Sequence, residues 1–163
     1  LLFSSAGKSI RFREVDVRAV GRTAIGVRGI RLADNDKVVS LIVAESNDPI
    51  LTATEKGYGK RTQLDEYRTQ ARGGSGVISI KTSERNGQVV GAIQVTDEDE
   101  MMLISNKGTL VRARAVDVSI IGRNTQGVTL INIAEEEMLV SVAKIAETED
   151  DEQESEGDSQ SEE

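Results

Sequence analysis

The chain has 163 residues, with 20 Lys plus Arg, 28 Asp plus Glu, two Tyr, two Phe, no His and no Cys. Lacking Cys, it can form no disulfide, thiolate nucleophile or cysteine metal site; lacking His, it has neither the commonest general base nor the commonest zinc ligand. No apolar run approaches the ~18 residues that span a bilayer and no signal-peptide pattern opens the chain, so it reads as soluble and cytoplasmic.

The first residues, LLFSS (1–5), are already strand-like, as expected of a piece cut from a longer protein. A glycine-bearing turn, AGKS, and a second strand, IRFRE, complete a hairpin signal. A polar connection then carries VGRTAIGV (20–27), followed by the strand-like GVRGIRL, a polar turn and VVSLIV. The same series returns as ILTAT, KGYG, KRTQL, QARGGSGV (70–77), GVISIKT and VVGAIQV, and again as MMLIS, NKGT, LVRAR, GRNTQGV (122–128), GVTLINI and LVSVAKI. Gly7, Gly57 and Gly108 mark the register, as do Gly26, Gly76 and Gly127, at intervals of 50 and 51 residues. A period of this length points to a solenoid or to propeller-type blades.

Each unit therefore reads as four short strands, and the fold class is all-β with about 50 residues per blade. The boundaries fall at about 1–47, 48–98 and 99–146. The remaining residues, 147–163, carry ten Asp plus Glu and no Lys or Arg, and are expected to be disordered. Removing those ten acids from 28 leaves 18 against 20 bases, so the body carries about +2. The tail reads either as a solubilising terminus or as a competitor of a polyanion for the body's cations.

Two motifs dissolve in the repeat. Gly7–Ser9 (GKS) resembles the end of a phosphate-binding loop, but the required upstream glycine is replaced by Leu2, and the other units read GYG and GTL at this place. Asp34–Asp36 and Asp97–Glu100 lack calcium-loop spacing and read as solvated turns. No metal site and no catalytic residue is assigned.

The repeated cations are the functional candidates. Arg11, Arg61 and Arg112 stand four residues after the hairpin glycine, and Arg22, Arg72 and Arg123 stand fifteen after it. Arg13 and Arg114 join the first set at spacing two, on one face of a strand, and Lys60 and Lys107 lie near the same edges. One such arginine is ordinarily just solvated. Six at two offsets predict a regular cationic array suited to the phosphates of duplex DNA. The glycines that follow either supply main-chain N–H groups to phosphate or serve only the turn. With so few aromatics, stacking on single strands is disfavoured.

GVRGIRLADNDKVVSLIV, YGKRTQLDEY, GVISIKTSERNGQVVGAIQV and GTLVRARAVDVSIIGRNTQGVTLI, with the acidic terminus, closely resemble the C-terminal domain of bacterial DNA gyrase A. The resemblance covers residues 1–146 and implies the last three blades of a β-pinwheel, a propeller-like ring whose neighbouring blades exchange strands. It also implies wrapping of double-stranded DNA in support of negative supercoiling by an A2B2 type II topoisomerase in the bacterial nucleoid. ATP and Mg2+ belong to that holoenzyme, no cofactor to this piece, and the cleaving tyrosine lies outside it; Tyr58 and Tyr67 receive no catalytic role. The family's box, a QRRGGKG-like heptapeptide, has a degenerate counterpart here, matching at Gln70, Arg72, Gly73, Gly74 and Gly76 with Ala71 and Ser75 in place of basic residues. The corresponding C-terminal domain of topoisomerase IV and a protein-binding propeller are the alternatives; an enzyme in its own right has no His, Cys or convergent acid pair to support it.

Overall fold

A computed structural model describes residues 1–145 of the chain. Eleven short strands form three antiparallel sheets. In the first unit these are β1 (Leu2–Ser4), β2 (Lys8–Ile10) and β3 (Val38–Leu41). The second holds β4 (Ile50–Thr54), β5 (Tyr58–Thr62), β6 (Val77–Ile78) and β7 (Val89–Gln94). The third holds β8 (Glu100–Ser105), β9 (Leu110–Arg114), β10 (Val128–Thr129) and β11 (Leu139–Lys144). A single 3-10 turn follows β2, β5 and β9 at Glu14–Asp16, Leu64–Glu66 and Ala115–Asp117.

The sheets do not coincide with the sequence units. Their strand orders are β3-β1-β2-β6, β10-β5-β4-β7 and β11-β8-β9, so each of the first two is completed by a strand from the following unit. The two exchanged pairings have one register: Lys8 faces Ile78 and Ser9 faces Val77, while Tyr58 faces Thr129 and Gly59 faces Val128. The first unit's own GVRGIRL segment forms no strand, because among the described residues no preceding sheet offers it an edge. The second and third units contain the four strands expected of each and the first contains three, while the first two sheets each combine three strands of one unit with one from the next.

Packing explains the residue choice in each element. β4 is buried along its whole length because it lies between two cores. Ile50 enters a cluster with Phe3, Leu64, Tyr67 and Ala92, whereas Leu51 and Ala53 enter one with Met101, Leu103, Val118 and Leu139. Phe3 and Tyr67 meet edge to face at 5.8 Å, the favoured aromatic arrangement, and the Tyr67 hydroxyl lies 3.2 Å from Ser79 Oγ. Tyr67 is therefore a core residue. β8, with one face covered, alternates instead. The acidic clusters serve turns and pairs. Asp36 Oδ1 accepts hydrogen bonds from Ser5 Oγ and from the N–H groups of Ala6 and Lys37, which outweigh its partial burial and hold its carboxyl below the usual range. Asp99 accepts the Thr96 N–H and pairs with Lys144.

Candidate nucleic-acid interface

Four of the six repeated arginines, Arg11, Arg61, Arg72 and Arg123, donate across the blade junctions. Arg11 Nη1 donates to the carbonyls of Leu64 and Tyr67, at 3.1 and 3.2 Å, around the 3-10 turn of the second unit. One junction on, Arg61 Nε donates to Val118 O at 2.8 Å and Nη2 to Val116 O, around the equivalent turn of the third. The main chain pairs at the same point, through parallel bridges Arg11–Thr69 and Arg61–Ile120. Arg61 is 4% exposed and its Nη1 meets Asp97.

The second set reaches backward. Arg72 Nε donates to Asp16 O and its Nη1 to Arg28 O, while Arg123 Nη1 donates to Ile78 O at 2.8 Å and its main-chain N–H to Glu66 Oε2 at 3.1 Å. Each junction is thus cross-latched, one arginine passing forward and one back. A guanidinium suits this because its planar fork satisfies several carbonyls at once and keeps its charge when buried.

Lys60 is corrected most sharply. It is fully buried, and its Nζ donates to Gly122 O and Arg123 O, both at 2.6 Å, and to Thr125 Oγ1 at 3.1 Å. Lys60 and Arg61 therefore do not stand on an exposed rim: the following unit's loop covers both. Arg11 and Arg123 are only half-exposed and engaged as above. Arg112 and Arg114 are exposed but paired with Glu100 and Asp117. Arg13 and Arg22 are exposed, and among the described residues their side chains make no ion pair.

The glycines of these loops answer to close approach. Gly76 and Gly127 have φ of 71° and 83°, and a Cβ on Gly127 would sit 2.6 Å from Gly59 O; one on Gly76 would collide with Ser9 O. Gly26, at the same place in the first unit, faces open space. Gly73 N–H donates to Gly29 O and Arg31 N–H to Gly74 O, which laces the box-like loop onto the first unit, and Gln70 N–H donates to Arg11 O.

Exposed cations that repetition in all three units does not select include Arg18 and Arg68, and Arg31 and Lys81. Each pair occupies one repeat position, but the third unit has Ser119 and Asn132 there. The signal is present at two units out of three.

Three antiparallel sheets among the described residues, the first two each completed by a strand and an arginine latch from the following unit, define a β-pinwheel array of propeller-like blades. Residues 1–45, 48–96 and 99–146 each match the family described as DNA gyrase C-terminal domain, beta-propeller, and the chain belongs to that family. It is 61% identical over 153 residues to the DNA gyrase A protein of Klebsiella oxytoca, covering 94% of this chain and 18% of that protein. Against the gyrase A protein of Escherichia coli K12 it is 57% identical, covering 93% of this chain and 17% of that one. The chain thus spans less than a fifth of the length of these two relatives. Among solved structures, a DNA gyrase A C-terminal domain superposes with a TM-score of 0.83 at 32% identity, over 89% of this chain and 50% of that one. A topoisomerase IV C-terminal domain gives 0.82 at 26%, over 88% and 45%.

Proposed function

We propose that this chain binds duplex DNA through its phosphates and, as part of a gyrase A polypeptide, helps to wrap the DNA that the enzyme supercoils. The observation that carries the reading is the group of exposed cations outside the junction latches that make no ion pair among the described residues, including Arg13, Arg18, Arg22, Arg28, Arg31, Arg68 and Lys81. They are graded along the chain. Residues 1–47 hold eight bases and five acids, 48–98 seven and seven, and 99–146 five and six, giving net charges of +3, 0 and −1. Point cations on the connections between strands bind a polyanion by counterion release, without reading base sequence. In this reading the partners are double-stranded DNA, the remainder of the gyrase A polypeptide and the gyrase B polypeptide, in an A2B2 assembly of the bacterial cytoplasm. Strand cleavage, ATP and Mg2+ belong to those other parts.

The test is duplex binding against salt concentration for the whole chain and for a version ending at Ala146. Binding that weakens steeply with salt supports the reading, and tighter, steeper binding after truncation adds a restraining tail. Absence of duplex binding at low salt by both overturns it. Residues 147–163, on which the tail expectation falls, lie outside the described residues.

A further inference from the structure

Loops 71–75 and 122–126 hold the same place in successive units, yet their polar groups have different fates. In the later loop the arginine's main-chain donor is used internally, although Arg123 Nε is a buried donor without a partner among the described residues. The Glu66 carboxylate accepts the Arg123 main-chain N–H, and beneath it the Lys60 ammonium takes the carbonyls of Gly122 and Arg123. In the earlier loop the counterpart of Lys60 is Ile10, fully buried. The counterpart of Glu66 is Asp16, one methylene shorter, whose Oδ2 accepts the Arg13 N–H at 3.3 Å and not a loop donor. Among the described residues the Arg72 main-chain N–H has no acceptor, and Gln70 Nε2, just before the loop, is a buried donor with no partner.

Charge follows the same division. The segment laced along the earlier loop presents Arg28 and Arg31, both exposed; the segment along the later loop presents Ile78 and Lys81 at those places. Lys81 stays exposed with neighbouring units on both sides, so the Arg31 position faces outward in a middle blade too. A carboxylate oxygen on a main-chain N–H is an internal stand-in for a phosphate oxygen, since both present an anionic acceptor to the same donor.

We propose that the box-like loop at Arg72, together with Arg28 and Arg31, is a DNA phosphate site at the first junction, and that Glu66 masks the corresponding site at the second. The inference rests on the DNA-binding reading above and specifies where the backbone is gripped and where it is released. The test uses the full-length gyrase A polypeptide. The double variant R28Q/R31Q, which changes only exposed side chains, should reduce the slope of log affinity against log salt by about two if each arginine contacts one phosphate. E66A should tighten duplex binding several-fold more than D65A, which removes the same charge from the adjacent exposed residue without freeing a loop donor. Thermal melting of each variant reports whether the blades remain folded. An unchanged salt slope for R28Q/R31Q in a protein that still binds duplex overturns the site but leaves the function standing. Equal effects of E66A and D65A overturn the masking. Failure of the parent protein to bind duplex in a salt-sensitive way overturns the function itself.

Discussion

Lys60 holds a charge where no water reaches it, and its three acceptors do not fully replace hydration. Burial brings its pKa down from 10.5 to about 8, with Glu66 working against that shift and Arg123 with it. The folded state therefore releases this proton before the unfolded chain does, and Lys60 contributes stability as pH rises from about 8 towards 10.5. Urea denaturation should show wild type gaining about 2 kcal/mol on Lys60→Met between pH 7.5 and 9.5, the difference of the two titrations. A constant gap between them would mean that the ammonium behaves as if solvated. Gly76 and Gly127 give a second residue-scale prediction. Alanine at either combines a left-handed backbone with a Cβ driven into a strand carbonyl, and should lower stability by roughly 2–4 kcal/mol. Gly26→Ala should cost less, because its surroundings are open.

The exchanged strands β6 and β10 have two residues each, too short to hold a sheet edge by themselves. What secures them is the pair of arginines at each junction, and the two junctions differ in how deeply the forward one is enclosed. Arg61→Ala leaves the carbonyls of Val116 and Val118 without their donor inside the protein and should destabilise by about 3 kcal/mol. Arg112→Ala removes an exposed pair with Glu100 and should cost under about 1 kcal/mol. Chemical denaturation of the two variants side by side distinguishes a latch from a surface charge. The same contrast explains what sequence can tell. Hairpins, blade period and repeat boundaries are legible because strand alternation and turn glycines are local signals. That an arginine repeated in every unit belongs to the junction is not, since a charged residue on a strand reads the same whether water or the next blade covers it. Every blade needs its latch, so repetition selects Arg11, Arg61, Arg72 and Arg123 first. The outward cations, Arg18 with Arg68 and Arg31 with Lys81, vary between units and escape that selection.

At the scale of the molecule, the last sheet of the array differs from the two before it. β5 is covered on its outer edge by β10, whereas β9 has no further strand among the described residues. Amide hydrogen exchange in the 163-residue chain should therefore be faster along Leu110–Arg114 than along Tyr58–Thr62, and equal protection would show that another segment covers that edge. The fall in net charge from +3 to −1 runs in the same direction, towards the uncovered edge.

Strand exchange also sets an order of events during synthesis. β3 ends at Leu41, but the first sheet is complete only with Val77–Ile78, and the second, whose last own strand ends at Gln94, only with Val128–Thr129. On the ribosome each blade remains three-stranded until most of the next unit has emerged, with a bare strand edge waiting for a segment not yet made. Translation speed through the middle of one unit then governs how long the preceding one stays open to pairing with the wrong chain.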